Sequence, residues 1–261
     1  MRTRLALITA AVAALAGVLV AAVPSDAGTW ARLRTGDKLH IQFAGTLDTR
    51  VAARVYEIDG ENSRKATVAR LHRAGRTVIC YLSAGSVESY RPDARAFPAS
   101  VVGRTMDGWP DERWLDIRQT KVLWRIMEKR VARCAAKGFD AVEFDNVDGY
   151  ANDTGFPLTR AHQLRYDKGL AQIAHRHGLA AVLKNAPELV PTLVRHFDAA
   201  LVEQCAEYAE CAAWRPFVRA RKAVWDLEYT TPYAGACRAG RAAGIDVQLK
   251  RLSLDAYRRP C

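Results

Sequence analysis

Gly138-Phe-Asp-Ala-Val-Glu-Phe-Asp-Asn-Val-Asp-Gly-Tyr150 reads as a short apolar strand that ends in a group of acids. Alternation along a strand places Glu143 and Asp145 on one face and the apolar residues beside them on the other. Carboxylates that converge at a strand end are costly to desolvate and repel one another, and such groups are typical of sites that move protons or bind cations. The segment therefore predicts a buried strand that carries functional acids into one shared space.

The glycine that opens this segment belongs to a pattern found at four places in the chain. In each, a helical segment ends at a glycine and an apolar strand follows within one or two residues, and glycine suits the left-handed conformation that ends many helices. The four strands cover residues 77–82, 140–144, 179–183 and 245–249. Four further apolar runs, at residues 39–43, 54–58, 199–203 and 223–228, bring the strand candidates to eight.

Helical patterns fill most intervals between these strands, and the clearest covers residues 117–137. Asp116 is a suitable N-cap, with Gln119 three residues on. Strands that alternate with helices predict parallel pairing. Eight such units in residues 28–261 fit a single (β/α)8 TIM barrel, an α/β fold, better than two domains. An open doubly wound sheet is the alternative, although no Gly-x-Gly-x-x-Gly follows the first strand. We find no sequence repeat beyond this rhythm of strand and helix.

The first 27 residues have the three parts of a secretory signal peptide. Basic residues at Arg2 and Arg4 precede an uncharged apolar run from residue 5 to residue 23, and Ser25-x-Ala27 is a small-residue cleavage site. The run is long enough to span a bilayer, so an uncleaved anchor is the alternative. We expect a secreted protein that starts near Gly28 and has no stable membrane association after cleavage.

The chain is basic, with a formal net charge of +11 at pH 7. Removal of residues 1–27 takes Lys and Arg from 39 to 37 and Asp and Glu from 28 to 27, which leaves +10. The basic residues are scattered along the predicted helices and do not form the stripe expected of a nucleic-acid binder. We therefore expect a solvated basic exterior and no nucleic-acid partner.

All six cysteines lie after the predicted cleavage site, and an even number in an exported protein indicates disulfides. Six thiols allow 15 pairings. One set would pair Cys205 with Cys211 around a small loop and Cys237 with Cys261 at the C-terminus, and would leave Cys80 to Cys134. The spacing has no Cys-x-x-Cys, and no His-x-x-x-His occurs, so we predict neither a metal nor another cofactor.

If the barrel forms, the carboxyl ends of its strands share one acidic mouth. The acids at or just after these ends are Glu57, Asp59, Glu88, Asp145, Asp148, Glu203, Asp226 and Glu228. An acidic cleft in a basic protein attracts a cationic or heavily hydroxylated ligand. The candidate ligand contacts are Asp59, Ser83, Glu88, Asn146, Asp148, Tyr150, Lys184, Asn185, Trp225, Glu228 and Tyr229.

Aromatic residues follow the same segments, namely Tyr81, Tyr90, Trp109, Trp114, Tyr150, Tyr208, Trp225 and Tyr229. Sugar rings stack on such side chains, while sugar hydroxyls and amines hydrogen-bond to carboxylates and amides. For each aromatic residue alone, burial between barrel and helices is the simpler interpretation. Taken together with the acids, they favour carbohydrate as the ligand class.

Glycoside hydrolysis needs two carboxyl groups that flank one bond. We choose Asp145 and Glu203 as this pair, because they lie two strands apart in sequence order and can face each other across a barrel mouth. Glu228, also at a strand end, is the rival for either role. The order of roles is open; our first assignment makes Asp145 the general acid and Glu203 the nucleophile or base.

Lys184 is expected to share the inward face of its strand with Val182, beside Asp145. There its charge would hold a carboxylate ionised. A lysine at the end of a barrel strand also fits a Schiff-base lyase or aldolase, in which desolvation lowers the lysine pKa. The surrounding acids argue against that alternative, because they would raise it.

Several motifs then resemble one family of known enzymes. They are Ile79-Cys-Tyr-Leu-Ser-Ala-Gly85, Arg91-Pro-Asp93, Gly108-Trp-Pro-Asp-Glu-Arg-Trp-Leu-Asp-Ile-Arg118, Glu143-Phe-Asp-Asn-Val-Asp-Gly-Tyr150, Leu183-Lys-Asn185, Glu203-Gln-Cys205 and Glu228-Tyr229. Together they resemble glycoside hydrolase family 114, the endo-α-1,4-polygalactosaminidases, over essentially all of residues 28–261. The first strand departs from the family, since Leu39-His-Ile-Gln-Phe43 replaces a more tryptophan-rich version.

The resemblance implies a (β/α)8 barrel that cleaves galactosamine-containing exopolysaccharide. It places a catalytic carboxylate pair on Asp145 and Glu203, the pair reached above from the residues alone. Unacetylated galactosamine carries an ammonium group, which suits an acidic mouth. We therefore predict a secreted, monomeric, endo-acting glycosidase of an amino-sugar polymer. A non-catalytic, lectin-like barrel is the competing hypothesis.

Overall fold

The computed structural model describes residues 30–261, so the predicted signal peptide of residues 1–27 lies outside the described part. Within that part, no helix is both long and apolar enough to cross a membrane. In chain order the strands and α-helices are β1 Leu39–Ile41, β2 Val55–Asp59, α1 Lys65–Arg73, β3 Thr77–Ser83, β4 Ser86–Glu88, β5 Val102–Met106, β6 Trp109–Leu115, α2 Thr120–Lys137, β7 Ala141–Asp145, α3 Arg160–Arg176, β8 Ala180–Lys184, α4 Val190–Leu193, β9 Ala199–Glu203, α5 Arg215–Arg219, β10 Ala223–Glu228, α6 Tyr233–Ala243, β11 Asp246–Leu249 and β12 Arg259–Pro260.

Eight parallel strands form the main sheet in the order β1-β2-β3-β7-β8-β9-β10-β11, and the short β12 joins β11 in antiparallel fashion. These are the eight strands predicted from the sequence, and the (β/α)8 fold class is confirmed. Because all eight run in the same direction, their carboxyl ends meet at one end of the barrel. The acids listed above are thereby gathered at that end.

Side chains close the seam between the last and first barrel strands. Gln248 Nε2 donates to the carbonyl oxygen of Leu39 at 3.3 Å, and Lys250 Nζ donates to that of Ile41 at 2.9 Å. Higher up, the backbone N–H of Phe43 donates to the carbonyl oxygen of Leu254 at 2.9 Å. The first two bonds satisfy carbonyl groups of β1 that the sheet order leaves without a strand neighbour on that side.

Strand parity separates the barrel interior from the layer beneath the helices. The interior cluster includes Ile79 of β3, Val182 of β8 and Trp225 of β10, whereas the residues next to them in sequence pack against the helices. The starts of four interior faces are small: Ala141, Ala180, Ala199 and Ala223 belong to the same cluster as Trp225. The indole therefore fills interior volume that the alanines leave free.

The four helix-ending glycines are confirmed, with φ angles between 72° and 89° at Gly75, Gly138, Gly178 and Gly244. The start of α2 differs from the prediction. The helix begins at Thr120, because Asp116 accepts hydrogen bonds from the backbone N–H and the guanidinium of Arg118 instead of capping a helix that begins at residue 117.

A small antiparallel sheet of order β4-β6-β5 is inserted between β3 and α2, and the sequence analysis did not predict it. It contacts the main sheet at the carboxyl end of β3, since the N–H of Leu115 donates to the carbonyl oxygen of Gly85 at 2.9 Å. This insertion builds one wall of the barrel mouth.

Two strand pairs are fastened at their lower ends by the same contacts. Asp140 precedes β7, accepts from the N–H of Val78 at 2.7 Å and lies 2.8 Å from His72 Nε2 at the end of α1. Asp198 precedes β9, accepts from the N–H of Ala181 at 2.9 Å and lies 2.8 Å from His175 Nε2 near the end of α3. The pairs β3–β7 and β8–β9 are thus built alike.

Three disulfides are present, and they match the pairing set considered from the spacing: Cys80–Cys134, Cys205–Cys211 and Cys237–Cys261. The first joins β3 to α2, the second closes the loop after β9, and the third ties the C-terminal residue to α6. The described part of the chain has no free cysteine. Such cross-links are typical of exported proteins.

Removing the Cys80–Cys134 bond should destabilise the protein substantially. The bond closes a loop with a sequence separation of 54 residues, and replacing both cysteines by alanine is expected to lower the free energy of unfolding by about 2–4 kcal/mol, measured by urea denaturation. The pair Cys205–Cys211, separated by six residues, is the comparison and should lose less. An unchanged urea midpoint for the first double variant would contradict the prediction.

Candidate active site

A cavity of about 760 Å³ opens at the carboxyl ends of the barrel strands. Nine of the thirteen residues predicted as catalytic groups or ligand contacts line it: Asp59, Glu88, Asp145, Asn146, Asp148, Lys184, Asn185, Glu203 and Tyr229. They come from four barrel strands, from the segments that follow strands, and from β4. The predicted shared mouth therefore exists, and it brings Asp145 and Glu203 into one space.

Asp145 ends β7 and is held by three hydrogen-bond donors. Tyr81 donates its hydroxyl to Oδ2 at 2.9 Å, Lys184 Nζ donates to Oδ1 at 3.0 Å, and the N–H of Asn146 donates to Oδ1 at 2.9 Å. Burial, followed by the charge of Asp145, raises the pKa of Tyr81 well above its ordinary value, so the phenol stays protonated and donates. Three donors, one of them cationic, stabilise Asp145 as a carboxylate.

Glu203 ends β9, two strands from Asp145 in the sheet. Tyr229 donates its hydroxyl to Oε1, and Lys184 Nζ lies 3.3 Å from Oε2. The backbone N–H of Glu203 donates to Asn185 Oδ1 at 2.9 Å, which fixes the end of the strand. The side chain is 25% exposed, compared with 16% for Asp145, so Glu203 is the more accessible of the two carboxyl groups.

Lys184 lies between the two predicted catalytic carboxylates, on the inward face that it shares with Val182. Its Nζ contacts Asp145 Oδ1 and Glu203 Oε2, and a third carboxylate, Glu143, lies 3.7 Å away. Burial alone would lower the pKa of Lys184, but the charges of Asp145, Glu203 and Glu143 raise it well above its ordinary value. A lysine held as an ammonium is a poor amine nucleophile, so the Schiff-base alternative lacks support.

The backbone bends in the same way directly after Asp145, Lys184 and Glu203. Asn146, Asn185 and Gln204 have φ angles of 61°, 49° and 59°, in the left-handed region that few residues other than glycine adopt. Each follows a functional side chain directly. The bend ends β7, β8 and β9 directly after Asp145, Lys184 and Glu203, at the edge of the cavity that all three side chains line.

Arg91 forms ion pairs with two of the predicted acids, and no role in the site was predicted for it from the sequence. Its NH2 lies 2.7 Å from Asp59 Oδ2 and 2.7 Å from Glu88 Oε1. Tyr90 also donates its hydroxyl to Glu88 Oε1 at 2.8 Å. Asp59 and Glu88 therefore line the cavity as parts of a buried ion-pair network in which one of the two negative charges is already compensated.

Two other cavity carboxylates, Glu112 and Asp148, form no ion pair with any residue of the described part. Glu112 Oε2 accepts from Ser86 Oγ at 2.6 Å and from Asn146 Nδ2 at 3.3 Å. Burial, followed by the charge of Asp145, raises the pKa of Asp148 to about 6. Both carboxylates are free to attract a cation. The sequence analysis missed Glu112 because it lies on the unpredicted strand β6.

Ser83 and Tyr150 do not line the cavity, although both were predicted to contact a ligand. Ser83 is fully buried, and its hydroxyl lies 2.6 Å from Ser86 Oγ and accepts from Asn146 Nδ2 at 3.0 Å. Tyr150 donates its hydroxyl to Glu188 at 2.9 Å. Ser83 thus orients a cavity residue from behind, and Tyr150 braces the loop after β7.

Trp225 and Glu228 also lie away from the cavity, because of their positions along β10. Trp225 is fully buried in the barrel interior and donates Nε1–H to the carbonyl oxygen of Asp37 at 2.7 Å. Glu228 is fully buried and accepts from the backbone N–H of Ala206 at 2.7 Å. Trp225 lies four residues before Tyr229, which lines the mouth, and Glu228 alternates to the outer face of the strand. We assign Trp225 to the core and Glu228 to the support of the loop after β9.

Exposed apolar side chains stand around the opening. Trp109, at the turn between β5 and β6, is 53% exposed and lines the cavity, as does Leu252, which is 65% exposed. Inside the mouth, the rings of Phe43 and Tyr81 pack with centroids 4.5 Å apart. Aromatic faces beside carboxylates form a surface suited to sugar rings.

The family model of glycoside hydrolase family GH114 matches residues 20–261. The crystal structure of Ega3 from Aspergillus fumigatus, in complex with galactosamine, is 35% identical and has a TM-score of 0.84; the match covers 88% of this chain and 97% of that one. An uncharacterised protein of Deinococcus radiodurans is 29% identical over 215 residues, which are 73% of this chain and 69% of the relative.

The glycoside hydrolase domain of PelA from Pseudomonas aeruginosa has the same fold, with a TM-score of 0.66 at 16% identity over 84% of this chain and 96% of that domain. The family match covers all the barrel strands and every residue of the cavity described above. The chain belongs to glycoside hydrolase family GH114.

Proposed function

We propose that this protein is a secreted, endo-acting hydrolase that cleaves α-1,4-linked galactosamine-containing polysaccharide, with Asp145 and Glu203 as its catalytic carboxyl groups. The observation that carries the proposal is the pair itself, which faces one open acidic cavity and shares the ammonium of Lys184. The related protein Ega3 binds galactosamine, which supports the amino-sugar substrate.

The separation of the two carboxyl groups supports a mechanism that retains anomeric configuration. Lys184 Nζ lies 3.0 Å from Asp145 Oδ1 and 3.3 Å from Glu203 Oε2. These two oxygens are therefore closer together than roughly 6.5 Å, the lower limit for enzymes that must fit a water molecule between the carboxyl group and the sugar. A shorter gap suits direct attack by one carboxylate.

The contacts favour the reverse of the roles first assigned from the sequence. Asp145 has three donors and is the better stabilised carboxylate, which suits the nucleophile. Glu203 is more exposed. Its contacts are the neutral hydroxyl of Tyr229 and the ammonium of Lys184, which lies farther from it than from Asp145. Such a carboxyl group suits the role of gaining and losing a proton. We therefore assign Asp145 as nucleophile and Glu203 as general acid and base.

Hydrolysis then takes two steps. In the first, Glu203 gives its proton to the glycosidic oxygen while an oxygen of Asp145 bonds to the anomeric carbon, so the leaving sugar departs and a glycosyl ester remains. In the second, Glu203 takes a proton from water, the resulting oxygen attacks the same carbon, and the ester bond breaks. Asp145 regains its charge and Glu203 its proton.

The free carboxylates explain a preference for a cationic polymer. Glu112 and Asp148 face the cavity without a cation of their own, so an ammonium group on the substrate can pair with them. The acetamide of an acetylated sugar has no charge to offer in that position. Export is supported by the three disulfides, while the monomeric state predicted from the sequence stays a prediction.

The test is incubation with α-1,4-polygalactosamine in unacetylated, partly acetylated and fully acetylated forms, with products analysed by mass spectrometry. We expect oligomers of mixed length from the two forms that carry free amines, and none from the Glu203→Gln variant, which keeps the shape of the side chain but has no proton to give. Tight binding by wild type without oligomers would support the lectin-like hypothesis and refute this one.

A further inference from the structure

Two fully buried glutamates, Glu57 and Glu143, lie in the barrel interior below Lys184. They project inward from β2 and β7, the two strands on either side of β3, where Glu57 is level with Ile79 and Glu143 with Tyr81. None of their four carboxyl oxygens has a hydrogen-bond partner within residues 30–261. Two buried carboxylates without hydrogen-bond donors are costly to desolvate and repel each other, so we expect the pair to keep one proton.

The position of each glutamate relative to Lys184 decides which of the two is protonated. Glu143 Oε1 is 3.7 Å from Lys184 Nζ, so a negative charge there has a cation beside it. Glu57 forms no ion pair in the described structure. Burial, followed by the charge of Glu143, raises the pKa of Glu57 well above its ordinary value. Burial raises the pKa of Glu143 as well, but the adjacent charge of Lys184 opposes that rise, so we place the proton on Glu57 and the charge on Glu143.

Lys184 meets different partners as the proposed reaction proceeds. When Asp145 bonds to the anomeric carbon, its carboxylate becomes a neutral ester, and at the same time Glu203 becomes a carboxylate by losing its proton. The ammonium thus loses one counter-ion and gains another. Glu143 has no part in either bond-making step and lies fully buried at the base of the cavity, so its charge is expected to stay beside Lys184 throughout.

We propose that Glu143 is a positioning residue that acts as the permanent counter-ion of Lys184 during turnover, and that Glu57 confines this buried pair to a single negative charge. The inference rests on the proposed function and adds two residues that the sequence analysis did not assign to catalysis. It explains why two carboxyl groups occupy an interior position where apolar residues would pack at lower cost.

The charged and titratable groups around Lys184 come from every strand that faces it. They are Glu143 and Asp145 from β7, Glu203 from β9, Tyr229 after β10 and, behind Glu143, Glu57 from β2. Removing the charge of Glu143 alone makes this environment more positive. Carboxyl groups then lose their protons at lower pH, and Lys184 loses its own more readily.

The experiment compares Glu143→Gln with Glu57→Gln, two isosteric changes in the same buried pair. Glu143→Gln is expected to reduce kcat by on the order of tenfold at neutral pH, with little change in KM, and to move both limbs of the pH profile to lower pH. Glu57→Gln replaces a protonated acid with a neutral donor of the same shape, so its profile should match that of wild type. Equal effects of the two variants would overturn the proposal.

A second measurement does not depend on the substrate. Trace acetylation of the folded protein with acetic anhydride at pH 9, followed by peptide mass analysis, reports how often Lys184 is unprotonated. Glu143→Gln should raise the labelling rate of Lys184 about tenfold or more relative to wild type, whereas Glu57→Gln should leave it unchanged. If wild type cleaves no amino-sugar polymer, the proposed function fails, and the labelling still decides the charge assignment.

Folding is checked from the thermal unfolding midpoint of each variant. Should Glu143→Gln fail to fold, Glu57→Gln carries the test alone. A shift of its pH limbs, or faster labelling of Lys184, would show that Glu57 holds the charge and would overturn the proposal.

Discussion

Replacing Asp145 by asparagine is expected to reduce kcat on polygalactosamine by about four orders of magnitude, because the amide keeps the hydrogen-bonding shape but cannot bond covalently to the anomeric carbon. KM should change little, since the neighbouring sugar contacts remain. Initial rates from reducing-end release measure the loss, and the thermal unfolding midpoint shows whether the variant is folded. A variant that keeps more than about a tenth of wild-type kcat would contradict a nucleophilic role.

Azide rescue separates the two roles. With an aryl galactosamine oligomer that has a good leaving group, Asp145→Ala leaves space for azide on the face where the nucleophile stood, so the glycosyl azide should have inverted configuration. Glu203→Ala still forms the ester with Asp145, and azide then attacks that ester, so its product should have retained configuration. The opposite pattern would restore the first assignment, with Glu203 as nucleophile.

The sequence predicted the barrel well because its two main signals are local. A glycine that ends a helix, followed by an apolar run, depends only on neighbouring residues, and all four such joints were found in the structure. The inward face of β7 was likewise set by alternation, which placed Glu143 and Asp145 together. The insertion β4–β6 was missed, since short antiparallel strands with exposed polar residues have no such signal.

Site residues were harder to predict where the outcome depends on distant partners. Asp59 and Glu88 were expected to contact a ligand, but both are paired with Arg91, and no local pattern shows that pairing. Trp225 was placed at the mouth from its position near a strand end. Its alternation is correct, but it lies too far down the strand, in the interior.

Two short sequence matches that were not recognised as a repeat become meaningful with the structure. His72-Arg-x-Gly75 recurs as His175-Arg-x-Gly178, and Phe139-Asp-Ala141 recurs as Phe197-Asp-Ala199. The two histidines and two aspartates form the matching contacts below the strand pairs β3–β7 and β8–β9.

Aligning the two copies places Asp145 on Glu203, each five residues after the repeated aspartate, and Tyr81 on Lys184. The strand registers agree, since Tyr81 is level with Glu143 and Lys184 with Leu201. In each pair a donor on the first strand contacts the carboxylate at the end of the second. The two proposed catalytic groups therefore occupy equivalent places in two similar structural units, which is a reason to treat them as partners.

Lys184→Met should both inactivate and destabilise the enzyme. The change leaves Asp145, Glu203 and Glu143 close together without their shared cation, and breaking a buried ion pair from one side costs about 3–5 kcal/mol. We expect kcat to fall by about three orders of magnitude, because the nucleophile is held in a protonated or displaced form. Urea denaturation and initial rates measure the two effects.

The loss of stability should depend on pH in a definite direction. Without Lys184 the clustered carboxyl groups bind protons more tightly in the folded than in the unfolded state, so the variant loses stability as the pH rises above about 4, the ordinary range of these acids, and recovers it on acidification. Lys250→Met is the matched control, since Lys250 is equally buried but donates to the carbonyl oxygens of Ile41 and Asp255. Its deficit should shrink less than that of Lys184→Met between pH 7 and about pH 4, because it leaves no carboxylate cluster unpaired. The recovery that remains comes from His40, whose pKa is lowered to about 4, chiefly by burial and further by the charge of Lys250. If both variants recover alike at low pH, the acids around Lys184 do not depend on its charge, and the electrostatic account of the catalytic pair would have to be abandoned.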